Sequence, residues 1–218
     1  MGNLSIITKE QQIVLNAVKN NDYFQKDFYF TGGTALSEHY LHHRYSDDLD
    51  FFSEKKIDQE TIFSFIQNLR STHFFTFTSR LVEVVYIFQL VFPNGIELKV
   101  DFGYYPYSSL EKKENIDGLP VDSMKDIATN KLLTISQRTD IKDFVDIYFL
   151  LKKYSLWDLI YAVEKKFHTT IEPLLLASDF LKIEDFDFLP RLVIPLTLET
   201  IKEFFRNQAK VLGKKYTT

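Results

Sequence analysis

Three aspartates carry the chemistry that this sequence suggests. Asp48 and Asp50 stand two apart in the run Ser46-Asp47-Asp48-Leu49-Asp50-Phe51-Phe52. Side chains two apart on an extended strand share a face, so both carboxylates point one way while Leu49 and Phe51 point to a core. Like charges held side by side raise each other's pKa unless something positive lies between them. A hard divalent cation with oxygen ligands meets that need, magnesium best and manganese as its substitute. Within residues 96–102, Ile96, Leu98, Val100 and Phe102 fall on one face, and Glu97, Lys99 and Asp101 on the other. If that strand neighbours the first, Asp101 joins the pair. Three carboxylates on one sheet face suit two metal ions, one activating an attacking hydroxyl and the other steadying a departing pyrophosphate. Taken alone, the acidic run is more often the pattern of a solvated surface loop, so its surroundings have to decide.

Those surroundings begin with Gly32-Gly33-Thr34, placed between a short aromatic strand at residues 28–31 and a helix expected over 34–41. Glycines let the backbone approach a ligand closely, and a following helix offers free N–H groups and a positive dipole end to a phosphate. Thr34 adds a hydroxyl. Most Gly-Gly pairs only permit an awkward backbone angle. What marks this one is the order of parts: strand, Gly-Gly-Thr, helix, then a strand with two aspartates. It is not a Walker loop, because no Gly-Lys-Ser/Thr comes after it.

The elements that must hold these groups are mostly periodic in the sequence. Residues 9–18 are helical by their Ile13, Val14, Ala17 and Val18 stripe, and residues 57–70 form an amphipathic helix with Ile62, Phe63, Ile66 and Leu69 inward. Strands are expected at 48–52, 81–92 and 96–102, the last two joined by a Pro93-Asn94-Gly95 turn. Asp117-Gly118-Leu119-Pro120 is the best boundary, dividing a first domain, 1–120, from a mostly helical second one, 121–218. Helices are expected there at about 123–137, 141–153, 157–167 and 198–212. The fold class is α+β.

In the second half, Lys131 lies with Ile127 and Ile135 on an apolar stripe and needs an anion to keep its charge. A triphosphate would serve, and so would a route to solvent. Asp143 and Asp146 share a helical face. A salt bridge to Arg138 or Lys142 suits Asp143, whereas Asp146 suggests a site role, as an acceptor for sugar or base or as an orienter of Lys131. Lys202, Arg206 and Lys210 form a basic stripe before Gly213 and Lys214-Lys215; it suits an RNA backbone or a solvated helix face. His39, His42 and His43 lack a matching third metal ligand and read as polar surface or substrate-facing residues.

Composition narrows the class. The 218 residues are 45% hydrophobic and 26% charged, the mix of a folded globular protein, with rings supplied by 21 Phe and 12 Tyr. The absence of cysteine excludes disulfides and thiol nucleophiles and makes the cytoplasm the expected setting. No apolar run has the length of a membrane span, residues 1–9 lack the order of a secretory signal, and Ile6 breaks the myristoylation pattern that Gly2 would begin. A formal charge of −4 argues against a general nucleic-acid coat but leaves room for a local basic patch.

With Phe30-Thr31-Gly32-Gly33-Thr34-Ala35-Leu36, then Arg44-Tyr45-Ser46-Asp47-Asp48-Leu49-Asp50-Phe51-Phe52, and the block from Lys131 through Arg138 to Lys142-Asp143-Phe144-Val145-Asp146-Ile147-Tyr148, the chain resembles the AbiEii/AbiGii-type toxin nucleotidyltransferases of the DNA polymerase β-like superfamily. The resemblance implies a mixed-sheet catalytic domain, a helical second domain contributing to the nucleotide or acceptor site, and transfer of a nucleotide from an NTP with magnesium. It implies that Gly33 and Thr34 touch the triphosphate, with Gly32, Arg44 and Ser46 of the same motifs beside them. Asp48 and Asp50 would bind metal, and Lys131 with Asp146 would serve nucleotide or acceptor. Thr34 stands where the family usually has Ser, which keeps the hydroxyl, and Asp101 rests on strand alternation more than on likeness. A toxin acting on the tRNA 3′ end, with a cognate antitoxin, is the function implied. Two alternatives stand beside it: modification of a small-molecule or protein hydroxyl, and a degenerate module that binds NTP without catalysis.

Overall fold

Local sequence sets where the first elements start. The computed structural model describes residues 5–214, so Gly2 and Lys215 lie outside the described residues. Helix α1 (Lys9–Lys19) opens on a capping box: the Thr8 hydroxyl accepts from the Gln11 N–H, and the Gln11 side-chain oxygen accepts from the Thr8 N–H. The short helix α2 (Asp22–Asp27) is capped by Asn21, whose side chain accepts from the Tyr23 N–H. Strand β1 (Tyr29–Thr31) runs directly into α3 (Gly32–Ala35), which continues as a wider π-helical segment, Leu36–Leu41. Strand β2 (Leu49–Ser53), helix α4 (Gln59–His73), and strands β3 (Thr76–Val82), β4 (Val85–Val91), β5 (Glu97–Tyr104), β6 (Glu114–Ile116) and β7 (Leu119–Val121) complete this part.

The seven strands form one mixed sheet in the order β3-β4-β5-β2-β1-β7-β6. Strand β2 is parallel to β5 and antiparallel to β1, which sets Leu49 opposite Val100 and Phe51 opposite Phe102. Alternation sends these side chains to the buried face. There the Phe102 ring lies 5.4 Å from that of Phe51 and 5.3 Å from that of Phe24, and Phe65 on α4 lies 4.4 Å from Phe24. Part of the chain's phenylalanine content makes this core, and the polar face of the same strands is left for chemistry.

Three expectations change here. The strand expected over 81–92 is a hairpin, turned at Glu83 and Val84, where Glu83 takes a φ of 53°. No Gly, Pro or Asn advertises that turn, and its first arm, β3, is exposed and polar enough to read as loop. The Asp117-Gly118 step lies inside the first unit and turns β6 into β7, both residues having positive φ, as a two-residue hairpin turn requires. On α4, Phe65 is buried where Phe63 was expected.

The chain divides into two compact units, one taking in the chain to Tyr40 together with Ser46–Ser123, the other Leu41–Tyr45 and everything from Met124 onward. The second is helical: α5 (Met124–Gln137), α6 (Ile141–Leu150), α7 (Leu156–Phe167), α8 (Pro173–Leu181), a short 3-10 turn, Lys182–Asp185, and α9 (Leu198–Lys214). Helix α8 is not visible as a period in the sequence, because the run Pro173-Leu174-Leu175-Leu176-Ala177 is apolar all round, and Leu174 and Leu175 are left exposed. The segment Leu41–Tyr45 is tied into this unit by backbone bonds: His43 O accepts from the Val193 and Ile194 N–H groups, and Tyr45 N–H donates to Arg191 O. No described helix is long and apolar enough to cross a membrane.

Candidate active site

The polar face of the sheet gathers the aspartates. Asp50 on β2 is the direct register partner of Asp101 on β5 and of Thr31 on β1, and Asp48 is the residue next to the start of β2. Lys99, two residues before Asp101 on the same face, places its ammonium 2.6 Å from Asp101 Oδ2 and 3.8 Å from Asp48 Oδ2. Burial works against the charge of that lysine, but the hydrogen bond to Asp101 and the fields of Asp101, Asp50 and Asp48 outweigh it and raise its pKa. Asp101 shows the converse. Burial pushes its pKa up against the opposing pull of Lys99 and Arg80, and its Oδ1 is buried with no hydrogen-bond partner. Among the described residues, no three acidic or histidine side chains already close round a common point. The ammonium of Lys99 stands among these carboxylates, donating to Asp101 and lying near Asp48.

The glycine bend serves this cluster in a way the sequence does not announce. Gly32 has a φ of 75°, and a Cβ there would fall 2.0 Å from Asp50 Oδ2. The side chain that needs the missing Cβ is thus the site's own aspartate, and a ligand is not required to explain the glycine. Thr34 is 1% exposed and donates its hydroxyl to the Asp48 backbone carbonyl. It braces the acidic run, where the motif implied a hydroxyl turned to a triphosphate. Ser46 is buried, and its carbonyl accepts from Gln11 Nε2 of α1.

A polar recess of about 280 Å³ lies on β3 and β4, lined by Thr78, Ser79, Arg80, Ile87 and Gln89. Register carries Arg80 across Ile87 to Asp101, and Gln89 directly to Lys99, so Arg80 shares the face of the carboxylates. Among the described residues Arg80 has no carboxylate in ion-pair contact.

The second unit holds a different cluster. Asp146 on α6 is fully buried and is met by Arg44 Nε at 2.7 Å, Arg44 Nη2 at 2.8 Å, His43 Nε2 at 2.7 Å and Lys131 Nζ at 2.8 Å. Lys131 also donates to Asp143 at 2.7 Å, and Arg138 holds the same carboxylate from its other side. Burial would raise the pKa of Asp146, but Arg44 and Lys131 override it and hold the carboxyl well below the usual range. Against burial, Lys131 and Arg138 lower the Asp143 pKa in the same way. Lys131 is raised, Asp146 and Asp143 outweighing burial.

This geometry revises several expectations. Arg44, placed at the nucleotide by motif, is 1% exposed and engaged with Asp146 and its neighbour's carbonyl. Asp146, expected to accept from a sugar or base or to orient Lys131, has no exposed surface and lies 2.8 Å from the Lys131 ammonium. His43, read as polar surface or substrate-facing, is completely buried against Asp146 and the Phe149 ring. In the basic stripe, Arg206 is bonded to Glu184 and Glu199, and Lys202 to the Glu184 carbonyl, which leaves Lys210 as its exposed remainder. Sequence reasoning placed Lys99 on the face of Asp101 but gave it no role. It missed the buried pair Lys166 and Asp126, 2.7 Å apart, which carried no signal.

A family model described as the nucleotidyl transferase AbiEii toxin of type IV toxin-antitoxin systems matches residues 14–211. An uncharacterized protein of Aquifex aeolicus (strain VF5) is 34% identical over 210 residues, covering 94% of this chain and 96% of its own. Among solved structures, JHP933 from Helicobacter pylori is similar with a TM-score of 0.57 at 21% identity, covering 96% of this chain and 94% of that one. The nucleotidyltransferase toxin MenT4 of Mycobacterium tuberculosis is similar with a TM-score of 0.58 at 16% identity, over 92% and 82% of the two chains. At these identities the two structures bear on the fold.

Proposed function

The chain belongs to the AbiEii family of nucleotidyltransferase toxins, and from that premise we propose that it moves a nucleoside monophosphate from an NTP to an acceptor hydroxyl at Asp48, Asp50 and Asp101. The observation that carries this reading is the gathering of those three carboxylates on one sheet face beside the Gly32 bend. The residues fit a divalent ion, magnesium or manganese: the donors are hard oxygens, one buried Asp101 oxygen lacks a partner, and a cation of the chain already stands among them. When bound, such an ion supplies charge to the phosphates and activates the hydroxyl.

The side chains have distinct tasks in this reading. Asp48 and Asp50 hold the cation. Asp101 completes the set or takes the proton of the attacking hydroxyl, for which a buried carboxylate of raised pKa is suited. The backbone N–H groups at Gly33 and Thr34 meet the phosphates, while the Thr34 hydroxyl keeps Asp48 in place. Lys131, Arg44 and Asp146 are positioning residues of the helical unit. Transfer of this kind depends on positioning and charge neutralisation, which is why no covalent nucleophile is needed.

For the acceptor we favour RNA, with tRNA as the first substrate to try. What supports a polyanion is Arg80, on the same face as the carboxylates and, among the described residues, in ion-pair contact with none of them. A cognate antitoxin is the partner expected of a type IV toxin, and the cytoplasm is where it would meet tRNA. Incubation of the protein with each labelled NTP, total tRNA and magnesium tests the proposal. Label on RNA, lost in Asp50→Ala and on chelation, is the expected result. Label only on protein or a small molecule moves the reading to that acceptor class, and metal-dependent NTP binding without transfer leaves a binding module.

A further inference from the structure

Lys99 stands beside the carboxylate cluster of the sheet. Its backbone is fixed by pairing opposite Gln89 on β4, and its side chain turns along β5 to Asp101. The ammonium approaches Asp48 as well and is attracted by Asp50, so this one ammonium acts on all three carboxylates. Carboxylates so placed repel one another, and in a sheet of fixed register they cannot move apart. Something positive must therefore stand among them in the resting protein, and here it is Lys99.

Lysine suits a charge that has to move better than arginine does. An ammonium on a flexible four-carbon stem makes no forked, plane-locked pair with a carboxylate and exchanges partners readily. The Lys99 side chain is 30% exposed, so it has a path out of the cluster, unlike Lys131, which is enclosed by its two aspartates. An incoming triphosphate offers such an ammonium more negative charge than it leaves behind.

We propose that Lys99 is the resident counter-cation of the site: its ammonium holds the place of a divalent ion among Asp48, Asp50 and Asp101 and yields it only when a triphosphate arrives to receive it. Metal ion and NTP then enter together, and the free ion alone binds poorly. The inference rests on the metal-dependent reading above and gives Lys99 a gating and positioning part in it.

Direct metal binding tests it without turnover. The full chain is titrated with Mn²⁺, free ion being read by electron paramagnetic resonance, alone and with an NTP analogue carrying a non-hydrolysable α,β-methylene bridge. Wild type, Lys99→Met, Lys99→Gln and Asp50→Ala are compared, each first checked for wild-type circular dichroism. Both lysine variants are expected to bind Mn²⁺ without nucleotide about tenfold more tightly than wild type, because a charge within a few ångströms of the ion is removed. The enhancement of Mn²⁺ binding by the analogue should shrink by a similar factor, since the two ligands no longer share the lysine. Two variants guard against one failing to fold. Unchanged or weaker Mn²⁺ binding in the folded lysine variants, with wild-type binding lost in Asp50→Ala, overturns the counter-cation and leaves the metal site standing. Absence of Asp50-dependent Mn²⁺ binding in every protein, analogue present, overturns both.

Discussion

The two charged clusters of this chain use the same ingredients to opposite ends. In the helical unit, Asp146 receives hydrogen bonds from Arg44, His43 and Lys131 and is shut from solvent. In the sheet unit, Asp48 and Asp101 share Lys99, and among the described residues one buried oxygen of Asp101 accepts no hydrogen bond. The direction of the pKa shifts matches the difference: Asp146 is held well below its usual range, Asp101 above it. A finished cluster gives the fold its shape, and an unfinished one has a place for something further. Perturbation of a carboxylate therefore does not by itself mark a reacting group; whether its bonds are complete does.

The comparison breaks most directly at Asp50. Asp50→Asn keeps shape and removes a charge from the unfinished cluster, so transfer to the acceptor should fall by about a thousandfold or more while thermal stability changes little. Kinetics and a melting curve on one preparation check it; a large loss of stability would put Asp50 in the same class as Asp146. Asp146→Ala should do the reverse. It leaves Arg44 buried without its carboxylate and Lys131 with Asp143 alone, a loss of about 3–5 kcal/mol in unfolding free energy, read by urea denaturation. Wild-type stability in that variant would mean that the finished cluster is not structural at all. Between these lies Gly32→Ala, which places a methyl group on the Asp50 carboxylate in a left-handed backbone. It should cost about 1–2 kcal/mol of stability and also lower transfer, because the aspartate has to turn away.

Much of the sheet site was legible because strand alternation is a short-range rule. Asp48 with Asp50, and Lys99 with Asp101, share a face by a period of two once the strands are seen. The neighbouring of β2 and β5, by contrast, was only a condition, since pairing between strands distant in sequence has no local signal. The helical cluster was half legible: Lys131 and Asp146 stood out as charges on apolar helices, but their partners did not. Arg44 and His43 come from a segment that joins α6 from some hundred residues away, as the bond from His43 to Asp146 shows. The motif that contains Arg44 thus mixes two purposes, an internal tether and the acidic run after it. Glu83 was hidden for a different reason, since a glutamate in a left-handed turn violates the residue preferences by which turns are read.

The smallest effect is the sharpest for the comparison, because it is one of sign. Asp101 has a folded pKa raised by burial, so the fold binds its proton more tightly than the unfolded chain does. Its contribution to stability is then lost as pH rises from the unfolded value, about 4, through the folded one, and above that the charged carboxylate is a standing cost. For Asp146 and Asp143 the folded pKa is lowered, so their contribution is complete above about pH 4 and is lost as pH falls through the folded values. Asp101→Asn should accordingly be more stable than wild type at pH 7, the advantage shrinking towards pH 4 as wild type becomes protonated. Urea midpoints taken from pH 3.5 to 7.5 in the presence of a chelator would track it. A variant less stable than wild type at neutral pH would mean that Lys99 already completes the cluster, and the contrast between the two halves of the chain would be lost.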